Sequence, residues 1–187
     1  MRKSVLLLAA VLAGCAAAPV KTKWAPGGGP YGGPARNFTL DIPQGWQLID
    51  EGGVLLLSKE GPLLQSIFVK KVAVSASMEH TKKTMRAGML PQEAAEIWID
   101  DYRADTDLLN LKVEENSPAT VAGRSAFRIA GEFRVTGGMR RKFVACGLMD
   151  GDDFYLLRFS APARYYFSRD LPAFEEVVRS FRLAKGS

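Results

Sequence analysis

From residue 38 onward the chain alternates short runs of strand period with two separated runs of helical period, and this ordering restricts the fold more than any other feature. "FTLDI" (38–42) alternates apolar and polar, Pro43-Gln44-Gly45 turns the chain, and "WQLI" (46–49) restarts it. "GVLLLSK" (53–59) and "LLQSIFVKKVAV" (63–74) follow, parted by Glu60-Gly61-Pro62. A helix is predicted over 91–108: Pro91 suits its first turn, Glu93 and Glu96 suit its positive end, and Ala94, Ile97, Trp98 and Tyr102 fall on one face. Strand runs then resume at 111–115, 120–135, 140–149 and 153–161, with Gly137-Gly138 and Asp150-Gly151-Asp152 as hairpin turns. A second helix is predicted over 170–182, capped by Asp170, with Pro172 in its first turn and Phe174, Val177, Val178 and Phe181 as its buried stripe. Consecutive strands with two separated helices predict an α+β domain around a mostly antiparallel sheet. "GVLLLS" and "FVACGLM" are apolar on both faces, which predicts helices on both sides, a three-layer α/β/α sandwich.

The first 37 residues read differently. Met1-Arg2-Lys3 precedes an apolar run over 5–12, the charged head and short hydrophobic stretch of an export signal. That run is too short for a spanning helix, which needs about 20 apolar residues. "LAGC" (12–15) then sets small residues before a thiol and resembles the lipobox of bacterial lipoproteins. The resemblance implies removal of residues 1–14, lipidation of Cys15 and membrane attachment through it. An ordinary secretory signal cleaved near Ala18 is the alternative. By resemblance to enterobacterial sorting rules, Ala16 after the cysteine favours an outer-membrane location facing the periplasm over the inner membrane. Residues 15–37 hold five glycines and four prolines without a period and read as a tether, leaving 38–183 as the domain and 184–187 as a tail. Trp24 and Tyr31 could rest at the membrane interface or pack on the domain.

Charge and cysteine content narrow the function classes. The formal charge of +5 falls to +3 once Arg2 and Lys3 leave, an excess that does not call for a nucleic acid; acidic glycans, lipid heads or an envelope protein are the expected partners. With Cys15 lipidated, Cys146 has no partner for a disulfide, and its apolar strand context predicts a small buried hydrophobe.

"FTLDIPQGW", "VAGRSAFRIAGEF" and "YLLRFSAPARYYFSRDLPAFEEVVRSFRL" resemble the PsbP-like α/β/α sandwich, shared by photosystem accessory proteins, a nuclear-import factor and many bacterial lipoproteins. The resemblance covers residues 38–183 and implies a binding or accessory role rather than catalysis. It carries no ligand set that transfers residue by residue.

Few residues stand out for chemistry, and no cofactor is expected. His80 is the sole histidine, so multi-histidine metal sites are excluded, and a hydrolase would have to use it as base. Together with Met78, Met85 and Met89 it forms a set of soft ligands suited to copper(I), against the simpler reading of gap-filling methionines in a polar loop. Glu96 and Asp100, one helical turn apart, could hold a hard cation, against the simpler reading of a solvated acidic face. Arg124, Arg128, Arg134, Arg140, Arg141 and Lys142 form a basic stretch that either pairs internally or offers an anion or partner site. The function this sequence supports is a lipid-anchored, non-enzymatic envelope module, with copper binding and hydrolysis as alternatives.

Overall fold

A computed structural model describes residues 24–33 and 37–184. Eleven strands and two helices occur along it: β1 (Ala25–Pro26), β2 (Gly29–Gly33), β3 (Phe38–Ile42), β4 (Gln47–Glu51), β5 (Val54–Ser58), β6 (Ser66–Ala73), α1 (Pro91–Ala104), β7 (Leu109–Val121), β8 (Arg124–Arg134), β9 (Arg140–Asp150), β10 (Asp153–Pro162), α2 (Tyr166–Ser180) and β11 (Arg182–Leu183). Eight strands make one antiparallel sheet in the order β1-β4-β5-β6-β10-β9-β8-β7. The remaining three, β11-β3-β2, make a small second sheet, so "FTLDI" stands outside the large sheet.

Strand alternation divides the large sheet into two apolar faces. Along β10, Tyr155, Leu157, Phe159 and Ala161 join Phe174, Val177 and Phe181 of the α2 segment and Phe38, Leu40 and Ile42 of β3 in one core. Phe154 and Leu156 point the other way and join Ala94, Ala95, Trp98, Ile99 and Tyr102 of α1 in a second core. Both sides of the sheet are thus covered, as the unalternating strands predicted.

Four boundaries differ from the sequence reading. The run over 120–135 is two strands, because Ala122 (φ 52°) and Gly123 (φ 73°) make a two-residue hairpin turn. The first helix ends at Ala104 rather than 108, with Asp105 in extended backbone. The second starts at Tyr166 rather than 170, because Phe167 stacks on Phe159 (5.5 Å) and carries the apolar stripe one turn further back. Asp170 therefore lies inside α2, bonded to Arg169 (2.6 Å), and Pro172 is interior rather than first-turn. Finally, part of the stretch read as a tether is folded: β2 pairs with β3 and β1 with β4. Tyr31 packs beside Phe38 and donates its hydroxyl hydrogen to Asp50, so it belongs to the domain.

Candidate functional site

Between α1, the loop 74–90 and the exposed half of the α1-side sheet face runs a cleft of ≈ 200 Å³. Its floor is the strand pair β6–β10, where Phe68 lies opposite Arg158 and Val72 opposite Phe154. Its walls are Trp98 and Tyr102 of α1, Asp105 just beyond it, and Met78 and His80 of the loop. The mixture is apolar floor with charged rim, the usual composition of a small-molecule site.

The loop is held there by one buried carboxylate. Asp101, 7% exposed, accepts hydrogen bonds at Oδ1 from the backbone N–H of His80 (2.8 Å), that of Thr81 (2.8 Å) and the Thr81 hydroxyl (3.1 Å). Burial pushes the Asp101 pKa up, but the bonds from Thr81 and His80 together outweigh it and leave it below the ordinary 3.8. A carboxylate with a depressed folded pKa contributes stability that is full above its unfolded value and is lost as pH falls through the folded value. Asp101→Ala should therefore cost about 1–2 kcal/mol near neutrality, since it leaves three part-buried donors without their acceptor. The wild-type advantage should hold from about pH 7 to 5 and shrink only below about pH 4, with hydrogen exchange at the His80 and Thr81 amides as the local readout.

The three methionines of the candidate copper set all pack in or against the α1-side core. Met78 and His80 flank the cleft, Met85 is 4% exposed inside the α1-side core, and Met89 lines a separate depression with Gly88, Pro91 and Arg124. Among the described residues no group of three or more His, Cys, Asp or Glu side chains could hold a metal ion. Glu96 accepts a bond from Asn116 (3.0 Å) and Asp100 is bonded to Lys83 (2.6 Å), so the two acids of the candidate cation site face different partners. His80 Nε2 stands 3.8 Å from Asp105 Oδ2, and among the described residues no hydroxyl or thiol is bonded to the ring.

The basic stretch is likewise divided. Arg124, Arg128, Arg134, Arg140 and Lys142 share the α2-side face of β8 and β9 and are met there by Asp150 (2.8 Å), Glu175 (2.6 Å), the Gly138 carbonyl (3.0 Å), Glu132 (3.4 Å) and Glu114 (3.5 Å) respectively. Arg141, of opposite strand parity, points to the α1 side. Cys146 is 1% exposed and burial pushes its thiol up to about 11, far from the thiolate chemistry of reactive cysteines. Cys15 lies outside the described residues.

Sequence reasoning passed over Arg158, Tyr102 as a cleft wall, and Asp101. Arg158 carried a signal: it is the one charge in "FYLLRFSAPA", a run otherwise fit for a core.

A large antiparallel sheet with a helix on each side places the molecule among the α+β sandwiches of the PsbP and Mog1 kind. A family model described as PsbP matches residues 27–183, and the chain belongs to that family. No curated protein matches the sequence. Among solved structures, the cyanobacterial PsbP (CyanoP) of Synechocystis sp. PCC 6803 aligns with a TM-score of 0.58 at 12% identity, covering 82% of this chain and 91% of that one. LpqN of Mycobacterium tuberculosis, described as involved in cell envelope biogenesis, aligns with a TM-score of 0.52 at 14% identity, covering 84% and 86%. The Ran-binding protein Mog1p of Saccharomyces cerevisiae aligns with a TM-score of 0.58 at 10% identity, covering 86% and 97%. This chain spans about half (49%) of the length of a Bacteroides thetaiotaomicron protein that it also matches. At these identities the likenesses show the fold alone.

Proposed function

We propose that this protein is a lipid-anchored module of the cell envelope that acts by binding, through the α1-side cleft, rather than by catalysis. The reading rests on how the cleft's ionisable groups are used: Asp101 is taken up by the loop's amides, and His80 faces a carboxylate rather than a nucleophile. Such groups shape a site without supplying an activated attacking atom. The envelope assignment is supported by "LAGC" at residues 12–15 and by the likeness to a protein of cell envelope biogenesis. Among the described residues no helix is long and apolar enough to cross a membrane. The attachment we propose is by acyl chains at Cys15, on the strength of the lipobox-like "LAGC".

Fractionation tests it. The wild-type chain, produced in its own host, should sediment with membranes and resist a high-salt wash, and Cys15→Ser should move most of it to the soluble fraction with its thermal melt unchanged. A Cys15→Ser chain that stays with the membranes would contradict the reading.

A further inference from the structure

We infer that the α1-side cleft takes a small carboxylate with an apolar body, its head on the Arg158 guanidinium and its body along Phe68, Val72, Phe154 and Leu156. This deepens the binding role proposed above and rests on it.

Arg158 is the anomaly that points there. It sits on β10 between Leu157 and Phe159, both fully buried, and its own side chain is half-buried on the cleft floor. The guanidinium lies over two ring faces, 5.2 Å from the Phe68 centroid and 5.3 Å from that of Tyr102. Stacking of this kind holds the fork flat; the neutral Tyr102 hydroxyl lies beside it, and the rest of its N–H edge is left to other partners. Among the described residues, no carboxylate lies within ion-pair distance of it.

A second cation on the same face is also without a counter-charge. Arg141, 7% exposed, donates to the Ser160 hydroxyl (3.2 Å), the Ser160 carbonyl (3.1 Å) and the Leu63 carbonyl (2.5 Å), all neutral. Burial lowers its pKa; the neighbouring Tyr102 hydroxyl opposes this in part, and the nearby charge of Arg158 adds to it. Two guanidiniums withdrawn from water on one sheet face, repelling one another and balanced by no ion pair among the described residues, are costly unless an anion joins them. Arg158 is the one that opens to the cleft, so the anion would meet it there.

The rest of the lining selects the kind of anion. Three carboxylates, Glu79, Asp101 and Asp105, border the cleft against two cations, Arg158 and Lys70, so a doubly charged phosphate head is disfavoured against a singly charged carboxylate, which a guanidinium fork meets with two parallel bonds. The apolar floor asks for a hydrocarbon body. The cleft's ≈ 200 Å³ corresponds to about seven waters at liquid density, room for a short chain or one ring and not for a polymer.

The test is a titration of the full-length chain, at low salt and about pH 7, with hexanoate, hexylamine, 1-hexanol and hexyl phosphate, followed by calorimetry and by tryptophan fluorescence, to which Trp98 in the cleft wall contributes beside Trp24 and Trp46. Hexanoate should saturate with a Kd below ~1 mM, in keeping with the affinity open to a ligand of that size. Hexanol should bind at least tenfold more weakly, hexyl phosphate no more tightly than hexanoate, and hexylamine should not saturate. Arg158→Gln should weaken hexanoate at least tenfold and Arg158→Lys by less, while Arg134→Gln, on the opposite face, should change nothing. Failure of hexanoate to saturate, equal binding of hexylamine or hexanol, tighter binding of hexyl phosphate, or an unaltered Kd in a folded Arg158→Gln variant each overturns the inference. If Arg158→Gln does not fold, the four probes on the wild-type chain decide alone. Should Cys15→Ser release the protein from membranes while hexanoate fails to saturate, this inference falls and the envelope reading stands; a Cys15→Ser chain that stays with the membranes while hexanoate saturates gives the reverse.

Discussion

Replacing Gly147 with alanine should destabilise the domain by about 3 kcal/mol, although in most strands that change is neutral or helpful. Gly147 sits in β9 directly opposite Phe127 of β8. An added methyl there would lie 2.2 Å from Phe127 Cζ and 2.4 Å from Cε1, well inside contact distance. The ring cannot easily give way, because Phe127 is 1% exposed and stacks on Phe154 with centroids 6.2 Å apart. A glycine bridged by a cross-strand aromatic packs well only while the glycine stays bare. Chemical denaturation of Gly147→Ala checks the cost. The double variant Gly147→Ala/Phe127→Leu should be more stable than Gly147→Ala alone, since two residues in direct contact do not add. Additive losses would mean that the ring is not what the methyl meets.

Phe143→Ala should cost about 3–5 kcal/mol and loosen α1 before the rest of the domain. Phe143 is fully buried at the centre of the α1-side core, with ring centroids 5.1 Å from Tyr102, 6.0 Å from Trp98 and 6.1 Å from Phe133. Two of those three rings belong to α1 and also wall the cleft. Removing the phenyl leaves a cavity that α1 alone can collapse into, so the helix shifts and the Asp101 clamp on the loop weakens with it. Denaturant unfolding gives the global loss, and hydrogen exchange at His80 and Thr81 should rise. Phe174→Ala, an equally buried phenylalanine on the α2 side, should cost a similar amount and leave those two amides as protected as before, relative to global unfolding. Equal loosening of the loop by both changes would mean that the two faces are not separate cores.

How much of this was legible follows from which forces are local. Strands such as 38–42 and the hairpin turn at Gly137-Gly138 lie where alternation and glycine placed them, since period and turn residues act over a few positions. Ala122 concealed a hairpin because alanine seldom adopts φ > 0, and only the pairing of β7 with β8 holds it there. Pro172 suggested a helix start, yet Phe167 docking on Phe159 extends α2 one turn ahead of it, a tertiary contact that no window of sequence contains. Residues 25–33 look like linker by composition and become strands by edge pairing. At the site, the loop around His80 was visible as a cluster of unusual residues. Its meaning was not: Met85 turns inward to the core, and the floor and walls of the cleft come mostly from β6, β10 and α1, strands and a helix that only the fold brings together.

Attachment to a membrane by acyl chains on one sulfur underlies the proposed role, and the mass of the N-terminal peptide, from protein taken out of its own host, reads that attachment without an intermediary. The peptide should begin at Cys15 and carry the added mass of a diacylglyceryl group. An unmodified peptide, whether it begins at Cys15, near Ala18 or at Met1, would contradict the attachment.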